Sequence, residues 1–373
     1  MSLRIYVCHT FYHVYVACLK EFHLLHQADL SREKAAEGSG AVGRAHLMLS
    51  TMSNDFSAMA KRAENCPLFE KVILFDEKRD SFFPELAPLR EDTGSLFKNM
   101  RNRIRFCKRF PELLAPYVPV DFKSYDEIYV FCDSDPVGYY LNGNKIYYHA
   151  LEDGPDALKL IDAARYDNRG HFGLKAWMAK HGLIFIQDGY AKYCIDMEVN
   201  NLSVLKYPMK KHKECPRAAL IAELTPSDRE LLLDLFLADI DGLRAKLKSS
   251  EGRPQVMILT EPLCDLETRE RIFRDLIRAY DTVEGQKATV LIKPHPRDVL
   301  DYEKVFADED IILLGADYPM EMLNYIGELR IDLLVSVFTV VDELRFAKKK
   351  IFLGPDFMDQ YEEPSLHRQN DFI

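Results

Sequence analysis

Apolar residues along the chain fall into short runs that alternate with amphipathic stretches. Leu3–Cys8, His46–Ser50, Lys71–Phe75, Glu127–Phe131 and Lys145–Ala150 are runs of strand length, and His181–Gln187 adds a sixth. Between them the spacing predicts a helix over Phe11–Gln27, a helical stretch near Asp55–Asn65 and a basic helix near Gly94–Phe110, with a polar loop from Ser31 to Gly43. The middle of the chain breaks this rhythm. Residues 206–217 are polar and basic. A helix is then marked by Thr225 as cap, Pro226 at its first position and Asp228 near its amino end, running to Leu247. Residues 249–254 read as a linker. The alternation then restarts with strands at Val256–Thr260, Ala288–Ile292, Asp310–Leu314, Asp332–Ser336 and Lys350–Leu353, and helices at Leu266–Tyr280, from Pro319 and from about Thr339.

Strands alternating with helices predict mostly parallel sheets covered on both faces. The expected architecture is α/β, with two Rossmann-like halves facing a central cleft: an acceptor-side domain over 1–195, a connecting helical segment and linker over 196–254, a nucleotide-sugar-binding domain over 255–354 and a tail over 355–373. The 373 residues exceed what a single core usually holds. A net charge of −10 argues against a general nucleic-acid binder, which needs a positive face. No run approaches the roughly 18 apolar residues of a membrane span, and the chain enters a strand almost at once without a leader pattern. The eight cysteines are scattered with no CxxC pair, which reads as reduced thiols in a cytoplasmic protein.

Chemistry concentrates at strand ends. After Val290–Ile292, Lys293-Pro294-His295-Pro296 stops the strand and holds one histidine between two prolines, which fix φ and donate no backbone hydrogen bond. After Lys145–Tyr148, His149-Ala150-Leu151-Glu152-Asp153-Gly154 presents two carboxylates before a helical segment, Pro155 to Ala164, with Gly154 expected to permit the turn. The plain alternatives are a strand-ending turn and a helix cap. Together, a carboxylate at one strand end and a histidine at another supply a base and an acid, which suits transfer of a group from a leaving phosphate to a hydroxyl. Thr10 and His13 follow the first strand and are candidates for lining the acceptor side. Asp133-Ser134-Asp135 has the spacing of a metal-holding acidic triplet, although a strand-end turn before Pro136 is the preferred reading. Lys98, Arg101, Arg103, Arg105, Lys108 and Arg109 read as too evenly spread for one helix face, so a solvated helix is the default. The alternative, shared with Lys210, Lys211 and Lys213, is contact with an anionic lipid surface or a phosphorylated glycolipid.

Glu152-Asp153-Gly154 matches the acidic-acidic-glycine motif of bacterial sialyltransferases, and Lys293-Pro294-His295-Pro296 matches their His-Pro motif. Asp332 to Thr339 resembles their Ser/Thr-rich nucleotide-binding motif. Pro319-Met320-Glu321 and Met257 to Leu263 look most like glycosyltransferase family 52, the lipooligosaccharide and capsule sialyltransferases. This resemblance implies a GT-B fold and inverting, metal-independent transfer from CMP-sialic acid to a galactose-type hydroxyl, with no cofactor. It implies Glu152 as general base, with Asp153 the rival for that role, and His295 as general acid or partner of the CMP phosphate. Ser336 and Thr339 would bind that phosphate, helped by the amino end of a helix beginning there. Glu321 would take the ribose hydroxyls, and Lys293 and Pro294 would line the donor site. The implied partners are a nucleotide-sugar donor and a glycan or glycolipid acceptor, with homodimerisation as a family trait and the leucines of Thr225–Leu247 as the candidate interface. The implied location is cytoplasmic, with peripheral attachment to the inner membrane face left open. The competing readings are a transferase using CDP-glycerol or another nucleotide sugar, and a catalytically inactive nucleotide-binding subunit.

Overall fold

The structure, a computed structural model, describes residues 2–34, 44–133, 136–154, 158, 170–249, 252–327, 329–339, 341 and 344–364. The chain divides into two compact units, the first ending at Thr225 and the second beginning at Pro226.

The first unit is built on seven parallel strands: β1 (Leu3–Cys8), β2 (Arg44–Ser50), β3 (Lys71–Phe75), β4 (Glu127–Phe131), β5 (Tyr148–Leu151), β6 (Cys194–Val199) and β7 (His212–Glu214). Their order is β3-β2-β1-β4-β5-β6-β7. The central strands are continuous apolar runs because helices cover both faces of the sheet, and Ile5, Val7, Val130, Tyr148 and Ala150 meet in one core. The first helix runs from Phe11 to Lys34, so it extends into the stretch expected as a loop. The basic helix spans Leu96–Leu114.

Two expectations fail here. His181–Gln187 is not a strand. Its apolar residues Ile184 and Ile186 pack beside Met178 and Tyr190 from a looped backbone, and the loop turns back through left-handed Asp188 and Gly189. The sixth strand is β6, which carries Asp196 and Glu198 and lies mostly within the expected connector. Both carboxylates are paired. Asp196 takes His149 Nδ1 at 2.6 Å and also the Lys213 ammonium, and Glu198 takes Lys20 Nζ at 2.6 Å. Burial pushes Asp196 up, but the bonds from His149 and Lys213 overcome it and hold the carboxyl at about 2. The expected connector over 196–254 therefore contributes β7 and most of β6 to the first sheet.

The second unit has five parallel strands: β8 (Gln255–Leu259), β11 (Thr289–Lys293), β12 (Ile311–Leu313), β13 (Ile331–Ser336) and β14 (Ala347–Phe352), in the order β12-β11-β8-β13-β14. Edge strand β14 carries Lys348, Lys349 and Lys350, a charge pattern that discourages pairing with another chain. A two-residue hairpin joins β9 (Thr282–Val283) to β10 (Gln286–Lys287) through Glu284 and Gly285, both at positive φ as a type I′ turn requires. The expected helix over Thr225–Leu247 is two helices, Pro226–Phe236 and Ile240–Ser249. Asp239 interrupts it and accepts the Gly242 amide at 2.8 Å, a side-chain cap for the second helix. Leu232, Leu233, Leu235 and Phe236 are buried within the chain, so they offer no dimer interface. All eight cysteines are free thiols, five of them buried.

Candidate active site

In each sheet the earliest strand of the unit sits inside the order, and the chain winds outward from it in both directions. The order reverses beside β1 in the first sheet and beside β8 in the second. In open parallel sheets, ligands bind beyond the carboxyl ends of the strands at such a reversal.

At the carboxyl edge of the first sheet, β1 leads into His9 and Thr10, and β5 into Glu152 and Asp153. His13 lies buried on the first turn of the helix after β1, its ring stacked on Phe131 at 4.0 Å. The His9 amide donates to His13 Nδ1 at 3.1 Å, which leaves the neutral ring's proton on Nε2, and Nε2 faces the Asp153 carboxylate. Burial pushes the His13 imidazole below its ordinary range, with Asp153 pulling the other way. A second pair stands beside it. His9 Nε2 is 2.6 Å from Glu77, which also accepts the Ser50 hydroxyl at 2.7 Å and the Val137 amide at 2.8 Å. Neither His9 nor Glu77 was singled out in the sequence. The available signal was the i, i+4 spacing of His9 and His13 across a strand end.

The two acidic residues differ in setting. Glu152 is 2% exposed and its carboxylate accepts the Asn200 amide. The Glu152 carbonyl accepts buried Arg217 Nη2 at 3.0 Å. The Asp153 side chain is 44% exposed. Gly154 has no positive φ, and a Cβ there would meet no described atom within 4 Å, so the turn does not depend on glycine. Thr10 accepts the His13 amide at 3.1 Å, so its hydroxyl caps the helix. The helical segment expected over 155–164 lies outside the described residues apart from Leu158. Asp133 is buried, with its carboxylate turned inward to the Tyr148 hydroxyl at 3.0 Å and the Gly189 amide at 3.2 Å. Burial and neighbouring Asp188 push Asp133 up to about 7. Asp133 sits at positive φ, and its carbonyl approaches the helix at Gly138, where a Cβ would fall 2.3 Å away. Ser134 and Asp135 of the acidic triplet lie outside the described residues. Among the described residues no group of three or more His, Cys, Asp or Glu side chains could hold a metal.

At the carboxyl edge of the second sheet, Thr260 and Glu261 follow β8, and each ties down a neighbouring loop. The Thr260 hydroxyl accepts the His295 amide at 3.1 Å. The Glu261 carboxylate accepts the Phe338 amide at 3.0 Å and both the amide and the hydroxyl of Thr339 at 2.6 Å. Burial raises the Glu261 pKa, against the hydrogen bonds from Thr339 and Phe338. His295 Nδ1 accepts the Arg297 amide at 3.1 Å, so its neutral tautomer also carries the proton on Nε2. Burial, with Arg297 and Lys293 nearby, pushes His295 down to about 4. Lys293 is buried, its ammonium 4.3 Å from the Tyr318 ring centre and 3.1 Å from the Pro294 carbonyl. Burial lowers its pKa to about 7, opposed by Asp317 and Glu321. The loop is anchored from below. Asp298 accepts Arg269 Nη1 at 2.5 Å and the Tyr302 hydroxyl at 2.7 Å, deep in the unit.

Ser336 is buried and its hydroxyl donates to the Thr339 carbonyl at 2.9 Å, closing the turn after β13. Thr339, Val341 and Leu344 are not helical, and the other residues of the helix expected from Thr339 lie outside the described set at 340, 342 and 343. The expected helix from Pro319 is a 3-10 helix over Met320–Tyr325 that carries Glu321 in its first turn. The second unit thus brings Lys293, His295, Glu261 and Thr339 to one edge. Glu261 is the member that sequence reading passed over as part of a strand motif.

Two Rossmann-like units, each with its polar side chains gathered at the carboxyl edge of a parallel sheet, define the GT-B class. The chain belongs to glycosyltransferase family 52, whose profile matches residues 76–351, and it is a glycosyltransferase. Among solved structures it is similar in fold to the GT-B domain of a sialyltransferase from Photobacterium damselae. That match has 12% identity and a TM-score of 0.51, and covers 91% of this chain and 86% of that one. It is also similar to a 2,6-sialyltransferase from Photobacterium sp. JT-ISH-224, solved with CMP and lactose. Here identity is 10% and the TM-score 0.54, covering 100% of this chain and 76% of the other. No curated protein matches the chain in sequence. No helix among the described residues is long and apolar enough to cross a membrane.

Proposed function

We propose that this family 52 enzyme transfers sialic acid from CMP-sialic acid to a galactose-type hydroxyl of a surface glycan, lipooligosaccharide or capsule, with inversion and without a metal. The observation that carries the reading is the set of donors at the end of β13, facing the end of β8. The Phe338 and Thr339 amides and the Thr339 hydroxyl converge on one anionic group, here the Glu261 carboxylate. The donor phosphate takes that place, because two anions do not share one set of donors. Thr339 contacts phosphate and Ser336 shapes the turn beneath it. His295 offers Nε2–H to the departing phosphate, and Glu321 takes the ribose hydroxyls. The Photobacterium sp. enzyme of like fold holds CMP and lactose, the donor product and acceptor chemistry this reading requires.

Asp153 is the general base in this reading, in place of Glu152. Its carboxylate reaches solvent and is oriented by His13, whereas Glu152 is committed to the Asn200 amide in the interior. The acceptor oxygen forms a bond to the anomeric carbon while the bond from that carbon to the phosphate oxygen breaks. The hydroxyl proton passes to Asp153, and the electron pair leaves with CMP. Preoriented donors at the phosphate stabilise the charge that develops there.

The test is a product assay. Purified protein is incubated with CMP-sialic acid and a panel of galactosides, and products are read by mass spectrometry. A sialylated galactoside is expected. Its absence, with the protein shown folded and stabilised by CMP over UDP and CDP, overturns the acceptor assignment. Absence of CMP stabilisation as well overturns the donor.

A further inference from the structure

The six basic residues of helix Leu96–Leu114 are not evenly spread. At 3.6 residues per turn, Lys98, Arg101, Arg105, Lys108 and Arg109 fall within an arc of about 100°, and Arg103 alone lies on the opposite side. Arg103 turns inward and donates to the Phe185 carbonyl at 3.1 Å. The buried face of the helix is Phe106, Phe110 and Leu114, so the basic arc faces solvent, with Arg109 sharing its charge with Glu112. At the amino end of this helix Phe97 is 89% exposed, beside exposed Leu96.

The second helix of this region, Phe172–Lys180, exposes Leu174 and Trp177, the latter at 54%, and Leu183 follows it, also exposed. Lys175 and Lys180 lie on the same helix. Between the two helices runs a groove of about 350 Å³ whose lining includes Leu96, Met100, Phe106, Leu174 and Ile186. A single exposed apolar side chain needs no explanation. Five large ones on two helices and the turn after the second, two of them (Leu96 and Leu174) lining the groove, next to a basic stripe on a chain of net charge −10, do.

We propose that this face of the first unit docks on an anionic lipid bilayer. Phe97 and Trp177 enter the interface, the Lys98–Arg109 stripe faces the headgroups, and the groove takes an acyl chain. Aromatic and leucine side chains flanked by lysine and arginine are the composition that binds at a membrane surface. The apolar rim selects a bilayer over a nucleic acid, which would use the basic stripe and leave Leu174 and Leu183 uncovered. The inference rests on the first unit alone and is independent of the donor assignment.

Trp177 is the only tryptophan in the chain, so its emission reports this face and no other. The full-length protein is mixed with phosphatidylcholine vesicles, with and without phosphatidylglycerol. Co-sedimentation and a blue shift of Trp177 are expected with the anionic vesicles only, both weakening as salt is raised. Phe97→Ser, and separately Arg101→Glu with Arg105→Glu, should lower the bound fraction by roughly tenfold. Phe97 is exposed, so its replacement leaves the core intact. The proposal is overturned by equal behaviour with both vesicle types, by binding without a Trp177 shift, or by unchanged binding in the variants. It is equally overturned by a dimer whose Trp177 is already blue-shifted and indifferent to lipid, or by a shift with RNA that vesicles do not produce.

Discussion

At the carboxyl edge of the first sheet His13 stands against Asp153 and His9 against Glu77, each imidazole facing a carboxylate. At the same edge of the second sheet His295 is held through backbone amides, with Lys293 and Arg297 for neighbours. The two sheets share a strand order around their central strands, β3-β2-β1-β4-β5 and β12-β11-β8-β13-β14. Topology therefore sets where chemistry is placed, and the residues just past each strand set what it does. In the proposed reaction the carboxylate beside a histidine accepts the acceptor's hydroxyl proton. In the same proposal the neutral imidazole beside Lys293 and Arg297 receives the departing phosphate.

The sharpest way to break this contrast is to remove one member from each edge. Asp153→Asn and His295→Ala should each lower turnover by ~10²–10⁴-fold, the usual contribution of a proton-transfer group, while CMP still binds. Glu152→Gln is expected to retain far more activity than Asp153→Asn. Steady-state kinetics on the three variants decides the matter, and the reverse ranking would return the base role to Glu152.

A change beneath the second edge should act on stability and leave the first unit untouched. Asp298→Asn leaves Arg269 as a buried charge without its partner. Breaking such a pair is expected to destabilise the second unit by about 3–5 kcal/mol. Calorimetry should show one transition lowered. An unchanged second transition would mean that the Arg269–Asp298 pair does not hold the His295 loop.

The smallest effect is a difference in sign. Lys293 has its pKa lowered from 10.5 to about 7. Between those values the unfolded chain binds the extra proton, so the second unit gains stability as pH rises from 7 toward 10. Asp133 is raised from 3.8 to about 7. Between those values the folded state holds the extra proton, so the first unit loses stability as pH rises from 4 to 7. Melting curves across pH should show these opposed slopes. Lys293→Met should flatten the second and Asp133→Asn the first, and slopes that survive both substitutions would assign them elsewhere.

The central strands of both cores were legible because fully buried parallel strands are uninterrupted apolar runs, as in β4 and β11. The proline-flanked His295 was legible for the same local reason, since two prolines fix a strand end wherever they occur. What stayed hidden depended on partners far along the chain. β6 was not foreseen as a strand, and nothing local shows that its Asp196 and Glu198 are neutralised by His149, Lys213 and Lys20. The proposal of Asp153 over Glu152 as base rests on the Asn200 amide, 48 positions away from Glu152. The clustering of Lys98 to Arg109 on one face was present in the spacing all along, and was lost by treating Arg103 as a member of the set.

Thr260 and Glu261 are consecutive residues, one fixing the backbone of His295 and the other filling the donors of Phe338 and Thr339. A single peptide unit is thus the hinge pin of two loops. Any anion that claims the Phe338 and Thr339 donors must unseat Glu261, and that pull begins one bond away from the residue that seats His295. The two loops thus hang from neighbouring positions of one strand end, and the planar amide between those positions fixes how far apart the two anchors stand.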